Sequence, residues 1–470
     1  MEWWRAGIRR FLGRNLKTES RWLAEMQKRI RTPWLDTYFV YTSTLGTHTF
    51  FMTLLPAVFF FGYPETGRGI VHVLAFGVYF SSLVKDLICS PRPFAPPVTR
   101  LTMGSHHLEY GFPSTHSTNS VSMALYIYSI VHRLRPGPDD VSPSSLSPAV
   151  FYVSSILLTL YTFSIVFGRL YCAMHSFTDC FVGVVLGSAI AAAQWAFGDL
   201  FEKWLAMPGW TVPLVVIPLG LILVNQHAEP VDDCPCFEDA IAFIAVVMGC
   251  GLGKWHGYNW GLDKDTGFFK SRTPGWEGRN MADWSLWLTF AAAKMVVGVA
   301  IIFGWRLLAK YVLHATLPPL FRTLARLFTL PHRRFYTPAT DYDGSVPEGD
   351  GGLRSIPSVI DIPGMMHSSD GGASTALPRY ALGLPRGDGA SVRGGKLNGS
   401  FVGEKTGSVV STVVVVEEED DSVKHYDADV LTKVIVYAGI GWLASEFIPV
   451  IFELLGWGVL PAARQPFVEM

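Results

Sequence analysis

The chain contains nine separate apolar runs, and their lengths constrain its fold more than any other feature. A helix that crosses a bilayer requires about 20 mainly apolar residues. The runs are 35–61, 70–88, 115–132, 148–168, 179–197, 209–225, 238–253, 285–309 and 431–459. The seventh run is short and begins with two acidic residues, which makes it the weakest. The pattern predicts an all-α fold, a polytopic membrane helix bundle with about eight or nine transmembrane helices.

Composition excludes a purely soluble enzyme. Hydrophobic residues make up 49% of the chain and charged residues only 16%, whereas soluble proteins contain about 25% charged residues. The 38 basic and 39 acidic residues nearly cancel, so no overall field would attract nucleic acid. The six cysteines show no paired CxxC spacing typical of zinc sites. We therefore expect neither a metal nor another cofactor.

Four segments differ in their composition. Residues 1–34 are basic and carry several tryptophans, a pattern typical of an amphipathic helix in the membrane interface. Residues 35–310 form the predicted membrane-embedded domain. Residues 331–430 are rich in Gly, Ser and Pro and contain too little apolar surface to fold, which predicts a disordered polar insert. Residues 431–460 form the predicted C-terminal transmembrane helix.

Polar and charged residues are concentrated at the ends of the predicted spans, where they are candidates for function because a bilayer tolerates them poorly. They form three clusters, at 85–93, 110–117 and 168–179. The first follows the second span, the second precedes the third span, and the third connects the fourth and fifth spans. Counting the crossings places all three clusters on the same face of the membrane.

Together the clusters supply cations for a tetrahedral dianion. Lys85, Arg92 and Arg169 offer one point charge and two planar guanidinium groups, which suit a phosphate. Pro113 is a natural start for a helix, so backbone N–H groups near Ser114 can face the same anion.

Two histidines and a carboxylate complete the predicted site. His175 and Asp179 are four residues apart and are expected on one helical face. The carboxylate can then accept a hydrogen bond from one imidazole nitrogen and leave the other as a nucleophile. His116, on a different helix, can protonate the departing oxygen. These are the parts of a phosphoryl-transfer site that requires no metal.

The clusters resemble the three-part signature of the type 2 phosphatidic acid phosphatase superfamily, which reads here Lys85-x6-Arg92-Pro93, Pro113-Ser114-Thr115-His116 and Arg169-x5-His175-x3-Asp179. Two positions depart from that signature. Thr115 stands where Gly is usual, and Gly168 stands where Ser commonly precedes the arginine.

A narrower resemblance is to the sphingosine-1-phosphate (long-chain base phosphate) phosphatases of the endoplasmic reticulum. It rests on Lys85-Asp86, Pro91-Arg92-Pro93, Glu109-Tyr110-Gly111 and the segment 234–239. It implies metal-independent dephosphorylation of sphingoid long-chain base 1-phosphates in an endoplasmic reticulum membrane, with the catalytic face in the lumen. It also implies a role for each site residue. His175 would form a phosphohistidine, Asp179 would orient it, and His116 would act as acid and then base. The phosphate would be held by Lys85, Arg92, Ser114 and Arg169.

Other interpretations remain open. The same site suits a phosphatase of phosphatidate or of a polyprenyl diphosphate, and a basic pocket also suits a non-catalytic binder or transporter of lipid phosphates. The expected partners are a lipid phosphate substrate and the membrane, with no nucleic acid. Glu109 and Tyr110 could meet the ammonium of a sphingoid base.

Membrane orientation is ambiguous because the basic N-terminus shares the catalytic side by parity, and the positive-inside rule favours the cytosol for it. Glycosylation of Asn398 in Asn398-Gly-Ser400 would test this. The sequence specifies neither the oligomeric state nor the lipid chain length.

Overall fold

The computed structural model describes residues 3–43, 48–101, 109–135, 147–232, 234–262, 273–338 and 425–458. The helices are α1 Trp3–Ile30, α2 Pro33–Ser43, α3 His48–Phe60, α4 Pro64–Ile88, α5 Thr115–Arg133, α6 Pro148–Tyr171, α7 Phe177–Leu205, α8 Thr211–Asn225, α9 Cys236–Asn259, α10 Met281–Ala325, α11 Asp427–Trp442 and α12 Ile448–Leu454. A π-helical turn, Leu443–Phe447, joins the last two helices. Strands β1 Tyr336–Thr337 and β2 His425–Tyr426 pair in parallel. The predicted helical membrane fold is confirmed.

Six helical segments of the described chain are long and apolar enough to cross a membrane. They are Pro64–Ile88, Pro148–Tyr171, Phe177–Leu205, Cys236–Asn259, Met281–Ala325 and Asp427–Leu454. Helix α5 is not among them, because its buried face consists largely of Ser, Thr and Asn side chains. The predicted count of eight or nine transmembrane helices stays a prediction.

The membrane helices divide into central and peripheral ones. The most apolar windows of α4 and α9 are each 72% buried within the protein, whereas those of α6 and α10 are only 11% and 17% buried. Helix α6 turns large apolar side chains such as Leu157, Leu160 and Phe163 outwards. Outward-facing apolar side chains of this kind suit contact with lipid tails, so α6 and α10 lie at the periphery of the bundle. Helices α4 and α9, which are mostly buried, form its centre.

Helices α5 and α7 approach each other so closely that their backbones touch. A Cβ atom on Gly187 of α7 would overlap the carbonyl oxygen of Thr118 of α5. Only glycine permits this approach. The contact brings the start of α5 next to the start of α7, where two of the polar clusters lie.

Several predicted boundaries differ from those in the structure. The first predicted span is divided between α2 and α3, and residues 44–47 between them lie outside the described residues. Helix α10 continues past residue 310 to Ala325, so the predicted end of the membrane domain falls inside a helix. Most of the predicted insert, residues 339–424, lies outside the described residues, as does Asn398. The described residues near the two ends of the predicted insert lie side by side, because β1 pairs with β2.

Candidate active site

The three polar clusters meet at one end of the bundle. Arg92 from the first cluster donates a hydrogen bond through Nη1 to the carbonyl oxygen of Met174 at 3.1 Å. Ser114 from the second cluster donates through its backbone N–H to the carbonyl oxygen of Asp179 at 3.1 Å. The structure therefore places the predicted clusters together, on the side of the bundle where α4 and α6 end and α5 and α7 begin.

A glycine brings the second cluster against the first. A Cβ atom on Gly111 would lie 2.8 Å from the carbonyl oxygen of Pro91 and 3.1 Å from the Cα atom of Arg92. Both are backbone atoms, so a side chain at this position would push the two segments apart. This close packing directs the carbonyl group of Gly111 at His175.

The imidazole of His175 is held through one nitrogen. Its Nδ1 atom lies 2.8 Å from the carbonyl oxygen of Gly111. A carbonyl only accepts hydrogen bonds, so Nδ1 carries the hydrogen, and a neutral ring then has its lone pair on Nε2. The residue is 1% exposed.

The electrostatic surroundings keep His175 neutral. Burial, followed by the positive charges of nearby side chains, holds the pKa of His175 well below its ordinary value. The charges that act on it belong to Arg92, Arg169, Lys85 and His116. The three predicted cations and His116 thus lie close enough to act on the one imidazole, which favours its neutral form.

Asp179 occupies a different place from the one expected. Its Oδ2 atom lies 3.9 Å from Nδ1 of His175, too far for a hydrogen bond. Instead it accepts a hydrogen bond from the backbone N–H of Ser176 at 2.8 Å, while the Asp179 N–H donates to the Ser176 Oγ atom at 3.2 Å. These two bonds form a capping box at the start of α7. Asp179 therefore fixes the turn that carries His175.

Two of the cations share a carboxylate. Nζ of Lys85 lies 3.3 Å and Nη2 of Arg92 lies 3.1 Å from the same Oε2 atom of Glu109. Nε of Arg92 also donates to the backbone carbonyl of Glu109 at 2.9 Å. Burial of the Arg92 guanidinium lowers its pKa. An anionic oxygen thus already lies between two of the predicted phosphate ligands.

The third cation has an unsatisfied donor. The Nε atom of Arg169 is buried and has no hydrogen-bond partner among the described residues. A buried N–H group without a partner destabilises the fold by about 1–3 kcal/mol. A phosphate oxygen in the pocket is the kind of acceptor that this donor lacks.

Ser114 and His116 lie at the start of α5. Ser114 is completely buried and caps the helix, its Oγ atom accepting from the N–H of Ser117 at 3.3 Å. Its own N–H is bound to Asp179, so this group does not face an anion as expected. His116 is half-buried and close enough for its charge to act on His175.

The two positions that depart from the superfamily signature make contacts of their own. The hydroxyl of Thr115 lies 2.9 Å from that of Ser81 and so links α5 to α4. At Gly168 a Cβ atom would lie 3.2 Å from the Phe39 ring, so a small residue accommodates the side chain from α2.

Helix α1 supports the site in a way that the sequence analysis missed. Gln27 donates through Nε2 to the carbonyl oxygens of Thr99 at 2.8 Å and Tyr171 at 2.9 Å, and the N–H of Thr99 donates to its Oε1 at 2.9 Å. Glu19 accepts hydrogen bonds from the N–H and hydroxyl groups of Thr178. One sequence pattern could have indicated this role. Glu19 and Gln27 share one face of the basic helix with Leu16 and Leu23, which is the face that packs against the protein.

One group of described residues has the composition of a metal site. Ligand atoms of Asp86, Cys234 and Cys236 lie within 4.8 Å of one another. The two cysteines are joined by a disulfide bond, however, and therefore offer no thiolate to a metal.

Comparisons with known proteins match the part of the chain that carries the site. The sequence profile described as the PAP2 superfamily matches residues 66–202, which include all seven predicted site residues. A dihydrosphingosine 1-phosphate phosphatase of Schizosaccharomyces pombe is 32% identical over 94% of this chain and 89% of its own length. A dihydrosphingosine 1-phosphate phosphatase of Saccharomyces cerevisiae is 35% identical over 56% of this chain and 63% of its own length. Sphingosine-1-phosphate phosphatase 2 of Homo sapiens is 25% identical over 46% of this chain and 51% of its own length. No solved structure matches the chain.

Proposed function

The chain belongs to the PAP2 superfamily and is a lipid phosphatase of the membrane, and we propose that it removes the phosphate from sphingoid long-chain base 1-phosphates. The substrates would be sphingosine, dihydrosphingosine and phytosphingosine 1-phosphate, and the reaction would proceed through a phosphohistidine without a metal ion. The observation that carries this proposal is the hydrogen bond from His175 Nδ1 to the Gly111 carbonyl. It leaves the Nε2 lone pair for attack among three buried cations.

In the first step Nε2 of His175 attacks phosphorus, and the bond from phosphorus to the C1 oxygen of the long-chain base breaks. His116 gives its proton to that departing oxygen, which leaves as an alcohol. Because Nδ1 keeps its hydrogen, the phosphorylated ring is a cation. The Asp179 carboxylate, 3.9 Å from Nδ1, stabilises that charge.

In the second step a water molecule attacks phosphorus and the bond to Nε2 breaks. His116, which lost its proton in the first step, takes one from the water. Inorganic phosphate leaves, and His175 regains its lone pair. The two histidines are then back in their starting states, so the cycle needs no further reactant.

The phosphate oxygens would be held by Lys85, Arg92 and Arg169, with the hydroxyl of Ser114 as a fourth donor. Lys85, Arg92 and Arg169 are all buried, where charge-assisted hydrogen bonds are stronger than in water. The unpartnered Nε of Arg169 supports its part in this set. The charge of these cations matches the negative charge that spreads over the equatorial oxygens in phosphoryl transfer.

We further propose that the enzyme lies in the endoplasmic reticulum membrane with its catalytic face in the lumen. Helix α1 contacts the ends of the catalytic segments, since Arg5 donates to the Leu87 carbonyl at 2.7 Å, so α1 and the site lie on the same side. A glycosylation acceptor fused before Trp3 would then be modified in microsomes. An unmodified acceptor that a protease removes from sealed vesicles would contradict lumenal orientation.

The substrate proposal is tested by measuring phosphate release from dihydrosphingosine 1-phosphate, phosphatidate and a polyprenyl diphosphate in parallel, with EDTA present. We expect the first substrate to have the highest kcat/KM and His175→Ala to abolish its turnover. His132→Ala is the matched control, because this exposed histidine lies at the other end of α5. Activity that survives in His175→Ala would contradict the mechanism, and a preference for phosphatidate would contradict the substrate.

A further inference from the structure

The carboxylate of Glu109 occupies cations that the proposed function assigns to the substrate. Its Oε2 atom contacts both Lys85 and Arg92, at 3.3 Å and 3.1 Å. The two cations are buried, and the Glu109 side chain is 21% exposed. A phosphate that binds to this pair therefore competes with the carboxylate for the same donors.

The phosphate has the advantage in that exchange. A phosphate dianion carries more charge than a carboxylate and has more acceptor oxygens, and it can also bind Arg169. The Glu109 carboxylate would lose its contacts with Lys85 and Arg92 at that moment. A carboxylate in a largely buried site that gives up such contacts is stabilised by a new positive group close to it.

The backbone around Glu109 keeps the displaced side chain near the phosphate. The Glu109 carbonyl is bound by Nε of Arg92 at 2.9 Å. The hydroxyl of the following residue, Tyr110, donates to Asp232 at 3.0 Å and accepts from the Asp232 N–H at 3.0 Å. The carboxylate can thus change its side-chain rotamer while its backbone remains in place.

A long-chain base 1-phosphate brings such a positive group with it. Its ammonium is on the carbon next to the one that bears the phosphate, whereas phosphatidate and polyprenyl diphosphates have no such group. We propose that Glu109 forms a subsite for the substrate ammonium: the carboxylate is displaced from Lys85 and Arg92 by the phosphate and binds the ammonium instead. This inference rests on the proposed function and assigns its substrate selectivity to one residue.

The test compares two substrates on each protein: dihydrosphingosine 1-phosphate and its N-acetyl derivative, whose nitrogen is uncharged. Wild type should prefer the amine. Glu109→Gln should lower kcat/KM about tenfold for the amine substrate, as expected for loss of a charge-assisted bond. The kcat/KM of the same variant for the N-acetyl substrate should be unchanged or higher. Any effect of the size of the acetyl group is the same for wild type and variant, so comparing the two proteins on both substrates removes it. Glu25→Gln is the matched control, since its carboxylate forms an exposed pair with Arg29.

Inhibition by inorganic phosphate provides a second readout, which a merely structural role would move in the opposite direction. Removing the competing carboxylate should make phosphate inhibit Glu109→Gln at about threefold lower concentration, because one charge-assisted contact no longer competes. If Glu109 only positions Arg92, phosphate would inhibit less strongly and kcat/KM would fall equally for both substrates.

A wild-type enzyme without any preference for the amine would overturn the inference even if the variant did not fold. His175-dependent release from both substrates would in that case leave the phosphatase function intact. Failure of wild type to release phosphate from either substrate would instead refute the proposed function itself.

Discussion

His175 makes its hydrogen bond to the backbone carbonyl of Gly111 at 2.8 Å, while the carboxylate of Asp179 remains 3.9 Å from the same nitrogen. The ring is therefore oriented by the backbone of the second cluster, at Gly111. The carboxylate contributes its charge and the turn that it caps. Because these contributions are separate, different variants of Asp179 should separate them.

Asp179→Asn keeps an oxygen that can accept from the Ser176 N–H but removes the charge. We expect its melting temperature to stay near that of wild type. We expect kcat to fall about a thousandfold, because opposite charges about 4 Å apart interact by about 4 kcal/mol at an effective protein dielectric constant of about 20, and about 1.4 kcal/mol corresponds to a tenfold change in rate. Asp179→Ala should also lose about 1 kcal/mol of stability with the cap. Activity of Asp179→Asn within twofold of wild type would show that the charge plays no part.

The low pKa of His175 makes the stability of the fold depend on pH. Below about pH 6.5, the unfolded chain binds a proton at this histidine that the folded protein does not bind. The free energy of unfolding therefore has its full value above that pH, and it decreases as the pH falls from about 6.5 towards the pKa of His175 in the folded protein. Between about pH 7 and about pH 5, the melting temperature should therefore fall less in His175→Gln than in wild type. Equal falls would contradict a depressed pKa.

The contact between α5 and α7 should tolerate no side chain. Gly187→Ala places a methyl group against the Thr118 carbonyl, and we expect a loss of about 1–3 kcal/mol in stability, as for overpacked cores, together with most of the activity. Gly304→Ala in α10 is the control, because its Cβ meets nothing within 4 Å. Alanine there should be neutral or stabilise by up to about 1 kcal/mol. Thermal unfolding in detergent measures both, and equal effects would refute the proposed role of the contact.

Helix α1 should be required for activity although it carries no residue of the site. Gln27→Ala removes three hydrogen bonds to the segments around Thr99 and Tyr171. Buried groups that lose partners cost about 1–3 kcal/mol each, so we expect lower stability and a reduced kcat. The exposed neighbour Lys28 provides the control variant Lys28→Ala. If Gln27→Ala and Lys28→Ala behave alike, α1 does not support the site.

Parity of the spans predicted that the three motifs converge, because a membrane restricts each loop to one of two faces. The hydrogen bond between His175 and Asp179 was predicted wrongly for a local reason. Residues four apart share a face only within a helix, and His175 lies before the N-cap of α7, Ser176. A local signal for this helix start is present, since Ser176-Phe177-Thr178-Asp179 has the Ser-x-x-Asp spacing of a capping box. The expectation that His175 and Asp179 share a helical face overlooked it.

Tertiary contacts could not be predicted in the same way. Glu109 lies between Lys85 and Arg92, and Gln27 contacts Tyr171, which is far from it in the sequence. Spacing along one helix or strand does not encode such pairs. They depend on how α1 and the loop before α5 pack over the ends of the bundle.

The central claim is that phosphate passes through Nε2 of His175. The enzyme is mixed with dihydrosphingosine 1-phosphate that is radiolabelled in its phosphate, and the reaction is stopped rapidly without acid. Peptide mapping of the labelled protein then tests the claim directly. We predict that the label is stable to base, labile to acid and located on His175, and that it is absent from His175→Ala. Label on another residue, or normal phosphate release by His175→Ala, would contradict the account.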